Sequence, residues 1–452
     1  MSSRRLLTSL VAAGALASLL AGCTDQGDES PPAAADPSAP GAAQECEDGE
    51  PVTRTLDNGA SWSMCWSVDP KLGLVLRDVR FTPTGADPIP ILASLSVAQL
   101  EVPYDDGGRS TSDITEAGFG GTKMKTLTDT ECAGERLETA VPNIGDGTFG
   151  EAPVREVLCS ETVDTGVGYR SSDGGTLVAD RSSAWQLSSI SKVGWYEYIA
   201  QYSFGSDGSI RPALGATGDI SPVDFTDPEH GWPVGEGDEA HAASHSHNVV
   251  WRAHWDLGAG GELAAEQYDA EPTGEMGSES PVLEGALTRL PRPTTAEWTD
   301  RRWWRVLAPD VLNDDGHPVS YEIDLGKTDS FEFTHDHHEH GDDAGYDVAF
   351  TNADECQVFA THNDGQCGSG VLDYVDRGKG DDLGDVVSWV AVGFHHVVRD
   401  EDQSPMDTHW QGFTLLPRDL TAQRVAVPPE REELNGVPSN EWTEEYEELL
   451  DD

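Results

Sequence analysis

The stretch Val386-Val387-Ser388-Trp389-Val390-Ala391-Val392-Gly393-Phe394-His395-His396-Val397-Val398 is almost continuously apolar or small, broken by one hydroxyl and two imidazoles. Its β-branched and aromatic residues show no helical period, so it predicts a strand. The unbroken apolar character predicts one that is covered on both faces. Outward from this run the same grammar recurs. Leu72 to Phe81 reads as a strand followed by turn residues, and Leu92 to Val102 reads as another. Tyr196 to Phe204, closed by Gly205-Ser206-Asp207-Gly208-Ser209-Ile210, predicts a hairpin; so does Val249 to Leu257 before Gly258-Ala259-Gly260-Gly261. No long helical pattern and no internal repeat interrupts residues 46–430. With 48 Gly and 27 Pro, the chain predicts an all-β body rich in turns.

Composition narrows the function. Against 82 Asp+Glu stand only 28 Lys+Arg, a net charge of −54 over 452 residues. That charge excludes nucleic-acid binding and electrostatic docking on an anionic membrane, both of which need a basic face. Thirteen Trp and 37% hydrophobic content supply a core too large for a disordered chain. The ends read differently from the body. Arg4 and Arg5 precede an uncharged run from Leu6 to Leu20, too short to span a bilayer, which ends in Leu20-Ala21-Gly22-Cys23. This resembles a bacterial lipoprotein signal over residues 1–22, with Cys23 as the lipidated new N-terminus. Exported, the chain would be held at the cell surface by lipid alone, that lipid being its sole membrane contact. Residues 23–45 read as a Pro-, Ala- and acid-rich tether, and residues 431–452 as an acidic tail with a weak amphipathic spacing. Beyond Cys23, six cysteines fall as near neighbours: Cys46 with Cys65, Cys132 with Cys159, Cys356 with Cys367. An even number in an exported chain predicts disulfides, although fifteen pairings are open to six cysteines.

Chemistry concentrates at the histidines. His245-Ser246-His247 puts two imidazoles on one face of a strand, where both can reach one metal ion; the spacing alone is a weak signal, and a surface strand with two solvated imidazoles shows it too. A third ligand would come from the His395-His396 pair, of which a strand turns one side chain inward. The run His335-Asp336-His337-His338-Glu339-His340-Gly341-Asp342-Asp343 lacks flanking apolar periodicity and reads as a loop able to hold Zn²⁺ or Cu²⁺ only loosely.

Taken in order, these segments resemble the copper amine oxidase family over about residues 60–430. Val193-Gly194-Trp195-Tyr196-Glu197-Tyr198-Ile199 is similar to the family stretch whose first Tyr becomes topaquinone, and Gly205 to Ile210 with Ala216-Thr217-Gly218 continues the pattern. His245-Ser246-His247 with Trp251-Arg252 resembles the copper-binding pair. His396 before Arg399, Glu401 and Asp402 resembles the third ligand, and Phe413-Thr414-Leu415-Leu416-Pro417 the strand beyond it. Gly73 to Arg80, Val102-Pro103-Tyr104 and Arg302 to Val306 add further matches.

The resemblance implies a large β-sandwich of the catalytic-domain type over residues 46–430, without the family's smaller N-terminal domains. It implies copper(II) on His245, His247 and His396, and topaquinone made from Tyr196. Its activity would be oxidative deamination of a primary amine by dioxygen, giving aldehyde, ammonia and hydrogen peroxide. Tyr104 would hydrogen-bond the quinone, and Glu116, in Glu116-Ala117-Gly118, would be the base; a gap placed otherwise makes it Asp113. A second, structural site for calcium or manganese would involve Asp256 and Asp385, with His254 where the family has Asp. The resemblance also implies a Cys132–Cys159 disulfide and a homodimer with exchanged hairpin arms. Two departures stand out: Trp195 replaces an Asn beside the cofactor, and Glu replaces Asp as the base. They support an alternative reading, a non-catalytic copper-binding surface lipoprotein with the same fold.

Overall fold

Val386–His396 is a strand buried from Val386 to Gly393, flanked by His245–Trp255 on one edge and Val348–Asn352 on the other. Both of its faces are covered, as the composition predicts, but by different layers. Val386, Val390 and Val392 join the main core, whereas Val387, Trp389 and Ala391 pack with Val371 and Tyr374 of the helix Val371–Gly378. The structure, a computed structural model, describes residues 45–425 apart from 144–149, 172–176, 259–260, 279, 300, 327–344 and 403. The signal segment, Cys23, most of the tether, the His335–Asp343 run and the acidic tail lie outside the described residues.

Among those residues the strands form two large antiparallel sheets, of nine and eleven strands. The first is centred on Gly73–Thr82, Ile89–Pro103, His245–Trp255 and Val386–His396; the second on Val178–Val193, Tyr196–Gly205 and Ile210–Gly218. Their inner faces meet in one apolar core. Trp62 of the first sheet lies 5.1 Å from Phe204 of the second and donates its indole N–H to the Gly205 carbonyl at 2.9 Å. Trp255 and Tyr321 make a similar crossing, with ring centroids 5.8 Å apart. The fold is therefore a β-sandwich, whose alternating apolar residues are buried between layers.

The expected hairpin at Tyr196–Gly205 and Ile210–Gly218 forms, with Phe204 opposite Ile210. The one expected after Val249 to Leu257 does not. His245–Trp255 pairs with Ile89–Pro103 and Val386–His396, and the chain then crosses to the other sheet as Ala264–Met276. A central strand already has both edges occupied, so the chain beyond Leu257 leaves for a crossover and not a tight return. Three disulfides close the near-neighbour pairs Cys46–Cys65, Cys132–Cys159 and Cys356–Cys367, with Cα separations of 5.8, 5.5 and 6.0 Å.

The inter-sheet indole gives a stability prediction. Trp62→Ala removes a fully buried side chain together with its hydrogen bond to the Gly205 carbonyl, so denaturant unfolding should show a loss of about 3–5 kcal/mol. Trp195→Ala, at an indole that is 49% exposed, should stay within about 0.5 kcal/mol of the parent.

Candidate metal centre

The site forms where the two sheets face each other at one end of the sandwich. On the first sheet His245 and His247 point inward with Ser246 between them, and His245 pairs directly with His396 of the neighbouring strand. Strand alternation decides the choice left open at His395-His396: His396 is buried, while His395 is exposed and bonds Asp105 at 3.0 Å. On the second sheet Val193 pairs with Tyr196 across a two-residue turn, Gly194-Trp195. Gly194 has φ +61°, the conformation that the first position of such a hairpin turn requires of glycine. That turn leaves the Trp195 indole half exposed and sends the Tyr196 ring across the gap.

There the Tyr196 hydroxyl lies 2.8 Å from His245 Nε2 and 3.3 Å from His396 Nδ1. The other ring nitrogen of each histidine is already engaged. His245 Nδ1 donates to the Ala243 carbonyl at 3.0 Å, and His396 Nε2 faces Asp402 Oδ2 at 3.1 Å. These bonds fix the tautomers and leave Nε2 and Nδ1 as the lone-pair donors toward the centre. His247 is fully buried, and neither of its ring nitrogens has a hydrogen-bond partner among the described residues. Such atoms are costly to bury unless something binds them. His245, His247 and His396 bring one ligand atom each to within 4.8 Å of one another, so the donor set fits a metal that takes imidazole nitrogen. Burial and the neighbouring imidazoles push all three toward the neutral, ligating form, His245 to about 4.

Around this centre stand residues that the sequence ranked differently or missed. Tyr104 stacks on His245 with centroids 4.8 Å apart, and the Arg109 guanidinium covers its other side at 3.6 Å, held by Asp224 at 2.7 Å. Burial pushes the Tyr104 hydroxyl up to about 12. Tyr198, two residues along the strand from Tyr196, stacks on the Tyr196 ring at 5.9 Å and donates its hydroxyl to Asp113 Oδ2 at 3.1 Å. Asp113 is buried, and desolvation raises its carboxyl to about 6.

Two expectations meet different surroundings in the structure. Glu116, the first choice for the base, is exposed at the far end of the short helix Asp113–Glu116, beside Lys71. Ser112 still pairs with Glu101 in the sheet, so the next side chain turns inward, and three residues later the chain has reached the surface. Asp113 is the carboxylate that the fold brings to the tyrosines. At the expected second metal site, Asp385 Oδ1 is engaged by His254 Nε2 at 2.7 Å. Asp256 is half-buried, and neither acid belongs to a group of three close ligands among the described residues. The histidine that stands where the resemblance has an oxygen donor engages the carboxylate in a hydrogen bond.

Residues 58–432 match the model of the copper amine oxidase enzyme domain. The chain belongs to the copper amine oxidase family. It is similar to a primary amine oxidase of Arthrobacter sp. (strain P1), 25% identical over 403 residues, covering 83% of this chain and 60% of that one. Primary amine oxidase 2 of Arabidopsis thaliana is also 25% identical, over 84% of this chain and 59% of its own. Among solved structures, a copper-containing benzylamine oxidase from Hansenula polymorpha superposes with a TM-score of 0.69 at 20% identity, covering 83% of this chain and 62% of that one. The chain thus spans about 60% of the length of the relatives it matches.

Two measurements check the site. Copper content per chain after loading and desalting should collapse in His245→Ala, His247→Ala and His396→Ala and persist in His395→Ala. Asp113 has a folded pKa above its unfolded value, so its contribution is complete below about pH 4 and is lost as pH rises through about 6. Asp113→Asn escapes that loss. It should unfold later than the parent at pH 8, by on the order of 2–3 kcal/mol, and the gap should close toward pH 4.

Proposed function

We propose that the chain is a copper(II)- and topaquinone-dependent primary amine oxidase, converting a primary amine and dioxygen to aldehyde, ammonia and hydrogen peroxide. The observation that carries the reading is the Tyr196 hydroxyl, 2.8 and 3.3 Å from the lone-pair nitrogens of two imidazoles whose other nitrogens are already committed. Copper on His245, His247 and His396 with dioxygen would supply the oxidising chemistry, and the quinone made from the Tyr196 ring would supply the carbonyl that a primary amine attacks.

The rest falls to the chain's own groups. Asp113 accepts the proton from the carbon bearing the amine. Its carboxyl, raised to about 6, is ionised at neutral pH yet basic enough to take that proton. Tyr198 orients the carboxylate through its 3.1 Å hydrogen bond. Tyr104, clamped between His245 and Arg109, keeps its hydroxyl proton and is assigned to hold the oxidised ring. The surface charge of −54 draws cationic amines inward at low salt.

Neither departure favours the non-catalytic reading: Trp195 projects from the turn half exposed, and an Asp is present at the site after all. Export and lipid anchoring at Cys23 belong to the same proposal. The three disulfides of the body support it, since such bonds persist in oxidising compartments, and no described helix is long and apolar enough to cross a membrane. A homodimer is supported by the exposed hairpin of Ala264–Met276 and Pro281–Leu290, which presents Leu283 and Leu287.

The test is the purified protein loaded with copper in air. It should become coloured, with Tyr196 modified and Tyr198 unmodified by peptide mass, whereas Tyr196→Phe stays colourless. A colourless parent with full copper would establish the non-catalytic alternative. Asp113→Asn should still build the quinone but release peroxide ~10²–10⁴-fold more slowly, while Glu116→Gln stays within a few-fold. In the parent, kcat/KM should fall below about pH 6 as Asp113 protonates.

A further inference from the structure

The carboxylate that engages His396 is shared. Asp402 has a fully buried side chain, and its Oδ2 accepts from His396 Nε2 at 3.1 Å and from the Arg399 backbone N–H at 2.9 Å. Its Oδ1 accepts from His409 Nε2 at 3.1 Å and from the Arg399 guanidinium at 3.2 Å. The two donors at Oδ1 differ in environment. The Arg399 side chain is 51% exposed, so water competes for its guanidinium, whereas His409 is 16% exposed. The His409 ring is also packed in place, with centroids 4.7 Å from His396 and 5.2 Å from Phe394.

His409 belongs to Met406–Gly412, a strand of the second sheet, where it pairs with Ala216, and Ala216 in turn pairs with Tyr198. From these contacts we infer that His409 is a positioning residue for the metal centre. It pins Asp402, through Asp402 it fixes the plane and tautomer of His396, and it references that ligand to the sheet that carries Tyr196. The inference rests on the reading that His245, His247 and His396 hold copper, and is independent of quinone formation.

The bond has a definite chemistry. An ionised carboxylate accepts hydrogens, so His409 carries its proton on Nε2, and His396 likewise keeps its proton on Nε2, leaving Nδ1 to face the centre. Without His409, Oδ1 retains only the exposed guanidinium. The carboxylate can then rotate toward solvent, and the His396 plane loses its reference. Outer partners of this kind are typically worth 10–100-fold in metal affinity.

The experiment uses the full chain with Tyr196→Phe as parent, so that no quinone contributes to the signal. Copper affinity is measured by competition with a chelator, and the ligand field by the Cu(II) electron paramagnetic resonance spectrum. His409→Phe keeps an aromatic ring against Phe394 but removes the donor. It should bind copper about 10-fold more weakly, with altered g and hyperfine values. His409→Gln restores an N–H donor and should recover the parent's spectrum and most of its affinity. If His409→Phe does not fold, His409→Ala carries the same comparison. Affinity and spectrum unchanged in the donor-less variant overturn the inference. A parent that takes up no copper overturns the metal reading itself, and so the two failures are told apart.

Discussion

Three imidazoles on one sheet and a phenol on the other are brought together by the thickness of the sandwich. The spacing of the sheets, filled by Trp62, Trp251, Trp255 and Phe204, is what allows the Tyr196 hydroxyl to stop 2.8 Å from His245 Nε2. Interiors packed at this density do not deform smoothly. Replacing a core indole therefore changes more than stability, because it changes the distance over which the two halves of the site meet. Register is the second coordinate. His245 lies opposite His396, and a slip of one residue would bring in His395, whose neighbours are solvent and Asp105.

Burial then does the electrostatic work with few charges. The imidazoles are pushed toward neutrality and the Tyr104 hydroxyl toward its protonated form by the same loss of solvent that raises Asp113. Asp402 goes the other way. Its burial alone would raise its carboxyl, but hydrogen bonds from Arg399 and His396 outweigh that and hold it well below the usual carboxylate range. Two buried acids thus differ in state because their donors differ in number, which suits one to proton exchange and the other to holding a ligand still.

Much of this was legible in the residues. The run Val386 to Val398 announced a covered strand, and His-x-His spacing put two imidazoles on one face without any knowledge of the partner sheet. Alternation also required that only one of His395 and His396 face inward, and the register of the family resemblance chose His396. Legibility failed where a decision depended on where a chain turns. Asp113 and Glu116 lie three residues apart in a segment with no periodicity, and only the pairing of Ser112 with Glu101 fixes which faces inward. The crossover after Leu257 looked like a hairpin because glycine-rich turns do not reveal whether a strand's edges are taken. Arg109, Asp224 and His409 carried no periodic signal: Arg109 finds Asp224 115 residues away, while the nearer contacts of Arg109 with Tyr104 and of His409 with Asp402 depend on how the chain turns between them.

The separation in sequence between Tyr196 and His396, 200 residues, also orders events in time. Contacts that close such long loops form slowly, and an all-β topology offers few local ones to precede them. The Tyr196 ring and the three imidazoles lie on different sheets, so the ring does not meet them before the sheets dock. Oxidation of Tyr196, as proposed above, would therefore be confined to molecules whose sheets have already docked. The oxidised residue would be a chemical record that folding went to completion.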